Sequence, residues 1–148
     1  MENQKNKKSE EILSEIYRNA QLALQSISNI LPQVEDEKTK AELSSQHEEY
    51  ERLSAKAAML AKDMGTELKD PNPFKKMMMW GSIKINSMTN NSPSHIADMM
   101  LQGTVMGISA LRTSQGDLPC EGAEEVCALL EEMIAKEEEF EKRWKSML

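Results

Sequence analysis

The sequence DPNPFKKMMMWGSIKINSMTNNSP, residues 70–93, separates two halves of the chain that share one pattern. Each half contains two amphipathic helical patterns joined by a short turn, whereas this stretch carries prolines near both of its ends. The 27 residues from Thr66 to Ser92 are long enough to run the length of a helical bundle. We therefore predict two helical hairpins joined by one long crossover, with a short extra helix over Phe74–Met88.

The first half predicts an antiparallel pair of long helices. Apolar residues recur at spacings of three and four after Ser9, which is followed by acids suited to a first helical turn, and Pro32 ends this helix. After a turn at Val34–Lys38, a second stripe extends to a helix end at Gly65. The stripes consist of Leu13, Ile16, Ala20, Ala23, Ile27 and Ile30, and then of Leu43, Gln46, Tyr50, Leu53, Ala57, Leu60 and Met64.

The second half predicts two further helices. Ser92 and Pro93 are a favourable cap and first residue for the third helix. Apolar residues surround its axis from Ile96 to Leu111, so we expect it to be buried on most sides. Gly116 ends this helix, and the last helix is predicted to begin at Pro119. The seam of the last helix contains one acid and consists of Val126, Leu130, Met133, Glu137, Phe140 and Trp144.

Length and composition indicate one all-helical domain. We assign residues 1–8 to a disordered tail and residues 9–148 to a single bundle, because no alternating strand pattern occurs. The chain has six aromatic residues and twelve methionines, which predicts an aliphatic and adaptable core. The formal net charge of −7 argues against nucleic-acid binding, since contacts with phosphates need a basic face.

The sequence favours a cytoplasmic protein. Met1–Glu11 lacks the apolar core of a secretion signal, and no apolar run reaches the ~18 residues of a membrane span. Cys120 and Cys127 are expected to be reduced thiols, because seven residues of helix would hold them about 10 Å apart.

The crossover differs from the rest of the chain in charge. Three lysines and no acid give it +3 between Pro71 and Ala97. The methionine-rich segment 74–88 is therefore either a lid that packs on its own bundle, which we favour, or a helix that docks on an anionic membrane or a partner helix.

Three stretches resemble the ferritin-like, rubrerythrin-related small bacterial proteins of unknown function. They are Asn19–Gly65, with its Pro-Gln-Val-Glu-Asp-Glu turn and acidic second helix; the crossover with Met79-Trp80 and Lys84; and the last helix from Leu129 through Glu137 to Phe140. The first stretch also resembles spore-coat members of the superfamily. The resemblance implies a ferritin-like four-helix bundle with one long crossover and, in relatives with oxidase chemistry, a dinuclear iron or manganese site.

The ligand set of such a metal site is incomplete here. It uses a Glu on each of two helices and a Glu-x-x-His on each of the other two, but neither His47 nor His95 completes that motif. The nearest candidate ligands are Glu49, Gln102, Glu137 and Glu141, with Gln46 beside them. Arg52 and Phe140 stand three residues after Glu49 and Glu137, where His is required. We expect no cofactor, with iron or manganese on a degenerate ligand set as the alternative.

Two polar residues on apolar seams, Gln46 and Glu137, are predicted to point inward. Buried polar groups need partners, so they pair with each other or with Tyr50, or they mark a retained polar site. A single polar residue in a seam is also a common device for fixing helix register.

The leading hypothesis for function is a non-enzymatic bundle that acts by association, as a homodimer or with a protein partner. No phosphate loop, Ser-His-Asp grouping or paired-cysteine zinc motif is present in the sequence. The third helix carries more apolar surface than one bundle covers. Its interface candidates are Gly103, Gly107, Met99 and Met106, because glycines four apart allow close approach of another backbone. The alternatives are a metal-binding redox protein and a small-ligand carrier with a methionine-lined pocket.

Overall fold

The computed structural model of the chain describes residues 2–68, 90–116 and 122–148, with side chains from Lys7 onward. These residues form four α-helices and no strand, which confirms the all-helical class. The helices are α1 (Glu2–Ile30), α2 (Glu37–Asp63), α3 (Pro93–Gly116) and α4 (Glu124–Ser146), with a 3-10 turn at Leu31–Gln33. The short helix predicted within residues 74–88 lies outside the described residues.

The α1–α2 hairpin has the predicted turn and an earlier start. Helix α1 begins at Glu2 rather than near Ser9, because residues 2–8 contain no Gly or Pro and are mostly good helix formers. Asp36 caps α2 by accepting hydrogen bonds from the Thr39 amide at 2.9 Å and the Thr39 hydroxyl at 2.7 Å, and both bonds lower the pKa of Asp36. Gly65, with φ of +78°, follows the end of α2 as expected.

In the second hairpin, the first helix begins where predicted and the last helix begins later than predicted. The Ser92 hydroxyl accepts a hydrogen bond from the His95 amide at 3.3 Å, and Pro93 is the first residue of α3. Helix α4 begins at Glu124, so the predicted start at Pro119 is wrong. Gly122 has a φ of +86°, which is incompatible with a helix running through it.

The late start of α4 also changes the cysteine chemistry. Cys127 is buried and disulfide-bonded, and Cys120 is the one other cysteine in the sequence. The prediction of a reduced thiol is therefore wrong for Cys127, while Cys120 lies outside the described residues. That prediction assumed an unbroken helical rise from 120 to 127, whereas α4 begins at Glu124. Disulfides persist mainly in oxidising compartments, so the cytoplasmic location stays a prediction.

The four helices pack as two hairpins. Contacts are most extensive within the pairs α1–α2 and α3–α4. The two hairpins are joined by contacts of α1 with α3 and of α2 with α4. Helices α2 and α3 therefore lie at opposite corners of the bundle. Helices α2 and α4 are antiparallel, since Glu42 pairs with Arg143 and Lys56 with Glu132. Their predicted seams supply much of the core. Its largest fully buried side chains are Trp144, Phe140, Leu13, Ile16, Ile27, Ile30, Leu43, Leu53, Ile96, Leu111, Leu130 and Met133.

Helix α3 is less buried than its composition predicts. Its inner face packs on the bundle through Ile96, Ala97, Thr104, Gly107, Ile108 and Leu111. On its outer face, Val105 is 45% and Met106 53% exposed, so the expectation of burial on most sides is wrong. Among the described residues, no helix has the length and apolarity needed to cross a bilayer.

Candidate functional site

A buried acid lies between α2 and α4. Glu137 is 2% exposed, and its Oε1 accepts a hydrogen bond from the Tyr50 hydroxyl at 3.1 Å. Its Oε2 has no hydrogen-bond partner among the described residues. Burial removes the hydration of the carboxylate and raises the pKa of Glu137 to about 8, although the bond from Tyr50 opposes the shift. Glu137 is therefore mostly a neutral acid at pH 7.

Tyr50 is suited to be the donor in this pair. Burial raises the pKa of Tyr50 well above 10, and the neighbouring Glu137 carboxylate raises it further. The phenol therefore keeps its proton over the physiological range. The Tyr50 ring also packs on Phe140, with centroids 5.4 Å apart, which holds the hydroxyl in place. The sequence predicted this pairing as one of several and did not select it.

Gly107 of α3 makes room for the Glu137 carboxyl group. A Cβ at Gly107 would lie 3.0 Å from Glu137 Oε2 and 3.2 Å from Oε1, so the α3 backbone packs directly on the acid. Gly103 is exposed, and a Cβ there would meet nothing within 4 Å. Although the two glycines lie one turn apart on α3, only Gly107 packs against another helix, so they do not form one close-approach surface. Helical spacing alone did not reveal which glycine faced inward.

Two further polar groups are buried on the same seams. Gln46 is fully buried; its Nε2 donates to Glu42 Oε1 at 2.9 Å, while its Oε1 has no partner among the described residues. Trp144 Nε1 is likewise buried without a partner in that part of the chain. Leaving such a group unpaired costs roughly 1–3 kcal/mol. The apolar packing of the seams must offset this cost.

Two of the candidate metal ligands are engaged by cations. Glu49 pairs with Arg52 at 2.8 Å, and that hydrogen bond lowers the pKa of Glu49. Glu141 pairs with Lys145 at 2.9 Å, one turn further along α4. A cation beside a carboxylate satisfies its charge and opposes the approach of a metal ion. These two acids are therefore poor ligands in this arrangement.

The other two candidates lie in unlike surroundings. Gln102 is exposed on α3 and donates to Asp98 at 3.1 Å, whereas Glu137 is buried. Within the described ranges, no group of three or more His, Cys, Asp or Glu residues is placed to hold one metal ion. The side chains present do not fit the dinuclear centre that the resemblance implies.

The outer face of α3 carries a regular exposed stripe. We call it the outer stripe, and it consists of Asp98, Gln102, Val105, Ser109 and Arg112, at spacings of four, three, four and three. Met106 lies beside it, Gly103 lies further round the helix, and both are exposed, so these two interface candidates are on the surface. Gly107 is buried, and the half-buried Met99 packs on the core. The spacing of polar and small residues could have revealed the outer stripe from the sequence.

Two surface grooves flank the bundle. One, of about 540 Å³, runs beside the outer stripe and is lined by Val105, Ile108, Ser109, Arg112, Thr113 and Glu141. The other, of about 660 Å³, lies near the end of α2 and is lined by Tyr17, Ala58, Lys62, Gly65, Thr66, Glu67 and Leu68. Neither groove is lined by a methionine, by Tyr50 or by Glu137. They therefore lend no support to a methionine-lined carrier pocket.

Comparison of the chain with protein-family models, with curated proteins and with solved structures finds no significant match. Two features of the described residues bear on function: the buried Tyr50–Glu137 pair and the outer stripe of α3.

Proposed function

We propose that this protein is a non-enzymatic helical bundle that acts by self-association through the outer stripe of α3. The observation that carries the proposal is the exposure of Val105 and Met106 on a helix with no charged residue between Asp98 and Arg112. Removing apolar surface from water is favourable by a free energy of about 25 cal/mol per Å². Two adjacent exposed apolar side chains, with the uncharged Gln102 and Ser109 around them, favour contact with another protein surface.

The buried acid has a structural role in this proposal. A raised pKa in a cleft is a common sign of catalysis, but a catalytic acid must reach a substrate. Glu137 is 2% exposed, and neither groove reaches it. Its bond with Tyr50 joins α4 to α2 at one position, and a single buried polar contact of this kind fixes the register of two helices.

We further propose that the chain is a ferritin-like protein related to the rubrerythrins that has lost its metal site. Two helical hairpins joined by a long connection between α2 and α3 are consistent with that architecture. The engagement of Glu49 by Arg52 and of Glu141 by Lys145 supports the loss of the site. This relation rests on the sequence resemblance and on the arrangement of the helices.

Replacement of Met106 by lysine tests the proposed surface. We expect Met106→Lys to weaken self-association at least tenfold, because it removes apolar contact and places a charge in the interface. The matched control is Met59→Lys, since Met59 is 67% exposed on α2, at the corner opposite α3, and its replacement should leave association unchanged.

Sedimentation velocity over a concentration series measures both variants, with circular dichroism to confirm that each remains folded. Equal association of the wild-type protein and folded Met106→Lys would contradict the proposal. So would equal weakening by Met59→Lys, because that result would assign the effect to surface charge in general.

A further inference from the structure

We infer that the outer stripe of α3 binds the same stripe of a second copy of this chain, antiparallel, with a twofold axis at Val105. The inference rests on the proposed function and deepens it. The proposed function requires only that the outer face of α3 mediates self-association. The inference adds the orientation of the two helices and the residues that meet.

Spacing is the first argument. Asp98, Val105 and Arg112 are seven residues apart, and Gln102 and Ser109 fill the intervals, so all five residues form one line along α3. Alternating intervals of four and three are typical of a seam shared by two helices. The inner seam of α3 is already packed on its own bundle. The outer stripe is thus available as a second seam, since all five of its residues are exposed.

Charge is the second argument, and it selects the orientation. The outer stripe has one acid and one base, Asp98 and Arg112, each seven residues from Val105. In an antiparallel pair centred on Val105, Asp98 of each copy faces Arg112 of the other, which gives two ion pairs about 21 Å apart. A parallel pair would instead place like charges together at both positions. Opposite charges across an interface fix orientation in this way.

Both charged residues can accept this second partner. Arg112 pairs with Glu138 of its own chain, and its side chain is more than half exposed. A guanidinium has five N–H donors, so it can bridge two carboxylates. Asp98 is exposed and accepts one hydrogen bond, from Gln102. The inter-copy pairs therefore add to the existing contacts and do not replace them.

Shape is the third argument. An interface with twofold symmetry needs a projection and a recess on the same surface, because each copy presents the same patch to the other. Met106 projects beside the outer stripe, and the groove of about 540 Å³ lies within one turn of it along α3. Ser109, on the outer stripe itself, has a small side chain, which permits close approach of the second helix.

Charge reversal followed by mixing tests the antiparallel geometry. We expect Asp98→Arg and Arg112→Asp each to weaken self-association at least tenfold at low salt, because each change creates two repulsive pairs. An equimolar mixture of the two variants should form a heterodimer with an affinity close to that of the wild-type homodimer, since both inter-copy pairs again have opposite charges. Native mass spectrometry distinguishes this heterodimer from either homodimer, and sedimentation gives its affinity.

The control for charge reversal is Asp63→Arg, an exposed acid at the end of α2 that should have no effect. A mixture that associates no better than its separate components would overturn the antiparallel geometry. If the mixing test failed but Met106→Lys still associated more weakly than the wild-type protein, the proposed surface would stand and only the orientation of the two helices would be wrong.

A second measurement does not depend on charge or on the Arg112–Glu138 pair. We expect Val105→Cys to give a covalent dimer on mild oxidation, because the two Val105 side chains meet at the twofold axis. Met59→Cys, on the opposite corner, should form no covalent dimer under the same conditions, although it should still self-associate. Absence of a cross-link through position 105, in a variant that still associates, would also overturn the inference.

Discussion

Replacement of Glu137 by glutamine is expected to abolish a loss of stability that the wild-type protein undergoes as the pH rises from 4.5 to about 8. Below pH 4.5 the carboxyl group is protonated in both the folded and the unfolded chain. Between pH 4.5 and about pH 8 the Glu137 carboxyl group is ionised in the unfolded chain and protonated in the folded chain. The free energy of unfolding therefore falls as the pH rises. Above about pH 8 both states are ionised, and this contribution is fully lost.

The expected size of the effect makes it measurable. Each pH unit within the interval lowers the free energy of unfolding by about 1.4 kcal/mol, and the whole interval by about 5 kcal/mol. Urea unfolding of the wild-type protein and of Glu137→Gln at several pH values gives the difference directly. Glutamine has the shape of the neutral acid and still accepts the bond from Tyr50, so the two proteins should be similarly stable near pH 4.5.

Glu132→Gln provides a control of opposite sign. The hydrogen bond from Arg52 lowers the pKa of Glu132, so its contribution is present above the unfolded pKa and is lost as the pH falls. The wild-type protein should therefore become more stable than Glu132→Gln as the pH rises, as measured by the free energy of unfolding. Parallel pH profiles for the wild-type protein and Glu137→Gln would contradict the burial of Glu137 without a neighbouring cation.

Substitution of valine at Gly107 is the second prediction with a large effect. The added Cβ would lie 3.0 Å from Glu137 Oε2, and the two further methyl carbons of valine add volume beside the carboxyl group. Overpacking of this kind costs about 1–3 kcal/mol. The carboxyl group cannot move away freely, because its Oε1 is held by Tyr50 at 3.1 Å. Chemical denaturation should show the loss as a lower transition midpoint.

The same substitution at Gly103 is the matched control. A Cβ there meets nothing within 4 Å, and valine has a better helix propensity than glycine, so Gly103→Val should be neutral or slightly stabilising. Truncation of Glu137 to alanine should reduce the cost of Gly107→Val, since the obstructing carboxyl group is then absent. Equal effects of valine at 103 and 107, at a concentration where the chain is monomeric, would contradict the packing of α3 on the acid.

The helices and their inner faces were largely predictable from the sequence. Spacings of three and four identify the seams of α2 and α4, and local capping chemistry identifies Gly65 and Pro93 as helix boundaries. The start of α4 was not predictable in this way. Pro119 is a favourable first residue, but the positive φ of Gly122 places the helix start after it.

The candidate site was predictable only in part. The seam pattern placed Glu137 and Gln46 on inner faces, but periodicity does not specify which helix supplies the partner of each. Selecting Tyr50, and recognising that Gly107 rather than Gly103 faces the acid, required the arrangement of all the helices. The polar and small residues of the outer stripe are regularly spaced in the sequence, but the apolar residues around the rest of the α3 axis make the boundary between its two faces hard to identify.

The mass of the wild-type protein as a function of concentration tests the central claim most directly. Sedimentation equilibrium from the low micromolar to the millimolar range should show the average mass rising from 16.8 kDa towards twice that value, and fitting a monomer–dimer equilibrium. A mass that stays at 16.8 kDa over the whole range would contradict an account in which the protein acts by self-association through α3.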